Sequence, residues 1–416
     1  MEMTIKNILM ALIAATLLLA CDSSQENSPE QNLAGTWRFV LHSDGGAMPF
    51  NMEVFEENGQ LKAFIRNGEE KLLLDSIQTK GDSVIMPLHI FDAALLGKRH
   101  GSDTLEGQFV KFYAPDKAVP FTAVRGQNYR FFPDSMSVAP AFDFSGKWEV
   151  TFTEPDGSTY PAVGIFQQSG NAVTGTFLTE TGDYRYLEGN AAGKALYLSA
   201  FDGNHAFLFV ATSEDGTQLK GDFWSGKDYH ETWTAIRNDS AALRNPYELT
   251  YLKEGYDKID FTLPDLDSNL VSLSDPRYQG KVVILQLFGS WCPNCMDETA
   301  FLADWYRKNK DKDIAIIALA FERKPDFQYA KRMVERVKKR FGADYDFLIA
   351  GTNDKGEAAR VLPMLNHVMS FPTTIFIDKQ GKVRKIHTGF YGPGTGEYYE
   401  RWREEFNATI SELLNE

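Results

Sequence analysis

Cysteine is scarce in this chain: 416 residues contain three, Cys21, Cys292 and Cys295. A disulfide-stapled scaffold needs pairs spread along the sequence, and none is left over once Cys292 and Cys295 are taken together. Concentrated Lys/Arg runs are missing too, and the net charge is −14. That excludes nucleic acid as a partner, because binding phosphates requires a basic footprint. Long apolar stretches are also absent. The longest, Ile8 to Leu19, falls short of the ~20 residues that a helical membrane span needs. What is present, 43% hydrophobic and 13% aromatic residues, is the composition of a foldable globular chain. Its length predicts about two or three domains rather than one.

The two neighbouring cysteines frame the chemistry. Trp291-Cys292-Pro293-Asn294-Cys295 follows an apolar run, Val282 to Phe288, and precedes a helical pattern, Met296 to Tyr306. Two cysteines at a strand-to-helix junction can close a small disulfide ring and open it again. The first sulfur then sits at a helix N-terminus, where unpaired N–H groups and the dipole favour thiolate. Thiolate is the form that attacks a disulfide. Pro293 costs no hydrogen bond in the first turn, because that N–H has no helical partner.

At the amino-terminus, Lys6 precedes the Ile8–Leu19 run, which has the dimensions of a secretory signal core. Leu18-Leu19-Ala20-Cys21 resembles the bacterial lipobox, which implies cleavage before Cys21 and lipid attachment to it. Residues 1–20 are then the leader and residues 21–33 a polar tether. The alternative is a plain signal peptide with an incidental cysteine. The lipobox implies an extracytoplasmic protein, anchored through Cys21 to a bacterial membrane on its periplasmic side or at the outer membrane. Disulfides form in such compartments.

From about residue 34 to 238, short alternating runs broken by Gly, Asn and Asp predict antiparallel strands. An internal repeat emerges. Ala34-Gly35-Thr36-Trp37 answers to Ser145-Gly146-Lys147-Trp148, Ile90-Phe91-Asp92 to Ala200-Phe201-Asp202, and Leu105-Glu106-Gly107-Gln108-Phe109 to Leu219-Lys220-Gly221-Asp222-Phe223. The offset stays near about 110 residues, predicting two copies of one all-β unit, residues 34–132 and 143–238. Each is expected to be a small barrel or sandwich, and the opening Gly-x-Trp resembles the first strand of lipocalin-like barrels. Asp202, His205 and His230 lack a tight ligand spacing and are expected at the surface or in turns.

Residues 247–416 change pattern. A short hairpin precedes the strand 282–288, after which strands and helices alternate and a strand pair and a helix close the domain. Together with Trp291-Cys292-x-x-Cys295 and Phe371-Pro372-Thr373-Thr374, this arrangement resembles the thioredoxin fold, and within it the TlpA/ResA group of thiol–disulfide oxidoreductases. The fold class is therefore multidomain: two antiparallel β-repeats followed by an α/β thioredoxin-like domain. The resemblance implies that Cys292 attacks, Cys295 resolves and Pro372 is the cis-proline beside the active disulfide. Trp291, Pro293 and Phe371 would position substrate. Glu298 matches an acidic residue of ResA-like members, and its i,i+3 spacing puts it on the Cys295 face of the helix. It could accept the proton of Cys295, the alternative being a solvated helix glutamate.

Two departures from thioredoxins proper bear on mechanism and direction. Gln286 replaces a buried aspartate, and Pro293-Asn294 lacks the histidine of strongly oxidising relatives. Because Gln286 cannot titrate, proton transfer must pass through Glu298 or water, and the dipeptide leans toward a reductase. No cofactor is expected beyond the Cys292–Cys295 disulfide itself, and no metal. The partners implied are client proteins with disulfides or thiols, a membrane electron donor, and the membrane through Cys21. A thiol peroxidase is one alternative, although Gly289 stands where that class carries threonine or serine. The other alternative is a lipid-anchored binding protein that uses its β-repeats, with an accessory redox domain. A metal site on the two cysteines would need further ligands, the nearest being His367 and His387.

Overall fold

The computed structural model describes residues 33–416 except residue 89. The expected leader, Cys21 and almost all of the tether lie outside the described residues. Among those described, no helix is long and apolar enough to cross a membrane.

Two nine-stranded antiparallel sheets come first. In the first, Gly35–Ser43 lies between Gly46–Glu57 and the last strand, Val119–Arg125. In the second, Gly146–Thr153 lies between Thr159–Ser169 and Tyr229–Arg237. The two also share a local device. Trp37 Nε1 donates to Leu33 O at 2.7 Å, and Trp148 Nε1 donates to Phe144 O at 2.9 Å. Each indole satisfies its one polar group on the residue four positions back and buries its rings in its own sheet's core.

Closure separates the copies. The strand Ala172–Thr179 pairs with both Thr159–Ser169 and Leu187–Ala192, so the second sheet closes into a barrel. The first sheet ends on Glu70–Leu74 at one side and Gln78–Lys80 at the other, and stays open as a half-barrel. Aromatic rings fill the closed barrel: Phe209 stacks 4.4 Å from Phe223 and lies tilted 4.8 Å from Phe177, and Trp233 packs edge-on 5.4 Å from Phe177. Lipocalin-like barrels leave a ligand space there; this interior is packed core.

The open sheet completes its core on its neighbour. Phe209 and, at the barrel end facing the cysteine loop, Phe207 belong to the barrel's apolar cluster, while Phe201, Ala206 and Leu208 join that of the half-barrel. The Phe201 ring lies 4.5 Å from Phe50 and 5.0 Å from Phe109. A strand apolar on both faces, Ala206–Thr212, marks this two-sided burial in the sequence.

The last domain carries a five-stranded sheet in the order Asp346–Thr352, Ile314–Glu322, Val282–Phe288, Thr373–Ile377, Val383–Thr388. The first three strands run parallel and the last two antiparallel to their neighbours. Helices α1 (Pro293–Asn309), α2 (Phe327–Phe341) and α4 (Glu397–Asn415) match the predicted pattern to within a few residues. The short α3 (Lys355–Val361), capped by Asp354, was not expected, since one turn or two leaves little periodicity to read. Val282–Phe288 and Ile314–Glu322 are buried at every position, as strands covered on both faces must be. Their shared carboxyl end carries the cysteine loop.

Candidate active site

Val282–Phe288 ends on Gly289, where a Cβ would collide with the Trp291 indole and the Phe321 carbonyl. Only glycine lets the chain turn this tightly under the tryptophan. Ser290 donates its N–H and its hydroxyl to Glu322, at 2.9 and 2.6 Å. Trp291 Nε1 donates to Phe321 O at 2.8 Å, and the Arg323 guanidinium lies over the indole at 4.4 Å. Burial pushes the Glu322 carboxyl up to about 7, against the two Ser290 donors and Arg323. The sequence reading missed Glu322. Its signal was a glutamate closing an otherwise apolar strand, a placement a solvated residue rarely takes.

Cys292 caps α1, with its Sγ accepting the N–H of Cys295 at 3.1 Å. Pro293 takes the first helical position. Cys292 and Cys295 are joined as a disulfide with Cα atoms 5.2 Å apart. Cys292 is 6% exposed and Cys295 is fully buried. Across from them, the Phe371–Pro372 peptide is cis, and Cys292 Sγ lies 3.4 Å from the Phe371 carbonyl oxygen. Trp291 and Phe371 meet edge to face at 5.9 Å. The residues singled out around the cysteines are thus brought together. Cys21 is the exception, lying outside the described residues.

Glu298 is fully buried, which removes the solvated-glutamate alternative. Its carboxyl accepts the Thr374 hydroxyl at 2.5 Å and the Gln286 amide at 2.8 Å. Burial drives its pKa up to about 7, with these two donors holding it back. Gln286, which cannot titrate, is therefore the hydrogen-bond partner of the group that can. A carboxyl balanced near neutral pH can both take and return a proton.

The barrel lies against this loop. Asn204 Nδ2 donates to Trp291 O at 2.9 Å, Asn294 Nδ2 donates to Asp183 O at 3.1 Å, and the Ser370 hydroxyl donates to Thr181 O at 2.7 Å. Gly182, at φ +143°, approaches so closely that a Cβ would overlap Asn294 Nδ2. Arg185 is buried with φ 57°, an uncommon backbone state for a side-chain-bearing residue. Its guanidinium donates to Pro293 O at 3.1 Å, to Glu70 at 2.5 Å, and to Asp297. Desolvation raises Asp297 to about 7 and Asp183 to about 6, although Arg185 pulls both the other way.

Asp202 and His205 occupy a turn, as expected, and that turn lies beside the cysteine loop, with Asp202 buried and His205 half-buried. His205 Nδ1 lies 3.1 Å from Asp202, and His230 pairs with Asp222 at 2.8 Å. His387 is buried with Nδ1 3.0 Å from Gly389 O, and desolvation lowers its pKa to about 4, so the ring is neutral. Among the described residues, no group of three or more His, Cys, Asp or Glu side chains is arranged to hold a metal.

A family model described as Redoxin matches residues 254–398. The thiol-disulfide oxidoreductase ResA of Geobacillus thermodenitrificans is 32% identical over 142 residues, covering 34% of this chain and 73% of that protein. The chain belongs to the ResA-like thiol–disulfide oxidoreductases. ResA of Bacillus subtilis is 29% identical over 138 residues, covering 33% of this chain and 69% of its own. Among solved structures, a thiol-disulfide oxidoreductase from Bacteroides fragilis is 21% identical, covers 35% of this chain and 99% of its own, and superposes with a TM-score of 0.27. The Redoxin match begins at residue 254, so both β-sheets are additions that this ResA-like chain carries ahead of it.

Proposed function

We propose that this protein is a lipid-anchored, extracytoplasmic reductase of client protein disulfides. In the reduced enzyme, the Cys292 thiolate attacks one sulfur of the client disulfide. That S–S bond breaks, and the departing client sulfur takes a proton. Cys295 then attacks Cys292 in the mixed disulfide, releasing the second client thiol and leaving the Cys292–Cys295 disulfide. Two electrons pass to the client. A membrane-bound dithiol donor returns the enzyme to its reduced form.

The observation that carries this reading is the buried Glu298 on the face of α1 that also bears Cys295. Cys295 is fully buried and must lose a proton before it can attack, and Glu298 sits near half-ionisation at neutral pH. Glu298 is assigned that proton, held in place by Gln286 and Thr374. Cys292 differs: it sits at the helix N-terminus, where the dipole favours thiolate without a base. The reductive direction follows from Pro293-Asn294, which supplies no imidazolium to stabilise the thiolate further.

Trapping tests the mechanism. Cys295→Ser should accumulate mixed disulfides through Cys292 in cells, and a Cys292→Ser, Cys295→Ser double variant should trap none. Direction is tested by the reduction potential of the pair against glutathione. A value at or below about −250 mV supports a reductase, whereas about −120 to −180 mV means an oxidant or isomerase.

A further inference from the structure

Cys292 does not stand on an open face. The barrel roofs it, leaving a cleft of about 500 Å³ between Gly182, His205 and Phe207 on one side and Trp291, Met369 and Phe371 on the other. Resting on the redox reading above, we infer that the barrel is part of the substrate site and that clients present their disulfide on a thin, extended chain segment rather than on a folded surface.

The argument is one of size and fit. A standard protein interface uses roughly 800 Å² on each partner, and a flat surface of that area cannot reach a cysteine that is 6% exposed beneath a roof. A single extended chain advances ~3.3 Å per residue, so a few residues fit a cleft of this volume. The walls suit such a guest. Phe207, Trp291 and Phe371 offer apolar faces for side chains, and the chain from Met369 to Phe371 runs along the cleft ahead of the cis-proline. The roof is fastened by Thr181 O on Ser370, Asp183 O on Asn294 and Asn204 on Trp291 O, and beside these by Arg185 on Pro293 O and Asp297 and by the Asp183 carboxylate on Gly392 N–H. Gly182 is what allows it to sit so low, since any side chain there would strike Asn294. Gly182 and Phe207 thereby become specificity-determining residues of the redox reaction.

The test uses the reduced full chain and follows its oxidation by tryptophan fluorescence against three oxidants. These are 2-hydroxyethyl disulfide, a pair of short linear peptides joined by one disulfide, and folded insulin. The linear peptides should react faster than insulin by roughly tenfold or more. Gly182→Val, which lifts the hairpin, and Phe207→Ala, which widens the cleft, should each raise the insulin rate relative to the 2-hydroxyethyl disulfide rate. Insulin reacting as fast as the peptides with the wild-type chain would overturn the inference. So would a ratio unmoved in both variants. Reaction with 2-hydroxyethyl disulfide alone would also overturn it, and point to a small-molecule disulfide as the substrate. No reaction with any of the three would sink the redox reading itself and the inference with it.

Discussion

Both β-sheets carry a hairpin after their third strand, and each hairpin docks on the next unit along the chain. In the half-barrel it spans Asn67 to Glu70 and meets the closed barrel; in the closed barrel it spans Thr179 to Gly182 and meets the redox domain. The first contact is made by buried polar side chains. Asn67 Nδ2 donates to Glu70 and to Phe201 O, both at 2.9 Å, while its Oδ1 accepts Phe201 N and Arg130 Nη2 at 3.2 and 3.0 Å. Arg130 adds bonds to Ser199 Oγ at 3.0 Å and to Ser199 O at 2.9 Å. The second contact combines backbone carbonyls and a glycine with side chains: Arg185 donates to Pro293 O and pairs with Asp297, and the Asp183 carboxylate accepts Gly392 N–H. A network of buried, mutually satisfied side chains fixes one geometry. Carbonyls that meet side-chain donors can exchange them for water at small cost. The half-barrel seam is therefore expected to be the permanent joint, and the seam over Cys292, held in larger part by carbonyls, the one to part first.

Breaking the permanent joint should have the largest effect. Asn67→Ala removes buried hydrogen bonds to two charged groups, Arg130 and Glu70, and two to the Phe201 backbone, costing about 3–5 kcal/mol in all. Hydrogen exchange should show protection lost in Gly35–Arg125 and in Ala195–Phe201 together. If only one side loosened, the joint would not be a cooperative unit. Arg185→Met falls in the same range, because it leaves the buried Glu70 carboxylate without its cation and takes the partner from Asp297 as well. Its cost depends on pH. Asp297 already titrates near 7, so the neutral acid is the form the fold favours, and that stabilisation is lost as pH rises through about 7. Melting temperatures should thus fall further below wild type at pH 8 than at pH 6. An equal deficit at both pH values would show that Arg185 acts through packing rather than charge.

How much of this was readable beforehand follows from how local the signals are. Val282–Phe288 is an apolar run broken only by Gln286 and was placed to the residue; Trp37 and Trp148 announced the repeat because each begins the same strand. The Cys-x-x-Cys loop and Pro372 were legible from spacing and from resemblance. Closure of one repeat and not the other was not legible, because it depends on pairing between Ala172–Gly175 and Leu187–Asn190, and neither segment alone states it. Nor was the roof. Asp183, Arg185 and Asn204 look like ordinary turn residues, and more than 80 residues separate each from the loop it touches. Glu322 was the one missed group with a local signal.

A smaller effect, within the redox domain, sharpens the contrast between a seam that moves and a core that does not. The folded pKa of Glu298, about 7, lies above its ordinary 4.5, so the fold favours the protonated form. That contribution is complete below 4.5 and gone above about 7. Glu298→Gln should therefore flatten the fall in stability across that window, by ~3 kcal/mol at most, since each pKa unit is worth roughly 1.4 kcal/mol. Denaturation midpoints measured at several pH values check it. The same variant should slow resolution of a mixed disulfide by roughly two orders of magnitude or more while leaving the first attack by Cys292 nearly unchanged. A structural role alone would slow both steps alike.

The smallest expected change tests the movable seam directly. Asn204→Ala removes the hydrogen bond from its side-chain amide to Trp291 O, where the freed carbonyl can take water instead, and the one its Oδ1 accepts from the Tyr113 hydroxyl. Each should cost about 1 kcal/mol, and the fold should remain intact. Because the first bond ties the barrel to the residue before Cys292, its loss should raise the rate at which a small alkylating reagent reaches reduced Cys292. The expected gain is roughly fivefold, matching ~1 kcal/mol in the opening equilibrium. Asn67→Ala is the control: it loosens the permanent joint and should leave that rate much closer to wild type. If Asn67→Ala exposed Cys292 as strongly as Asn204→Ala, the two seams would be one cooperative interface, and the barrel would release the cysteine only by parting from the half-barrel as well.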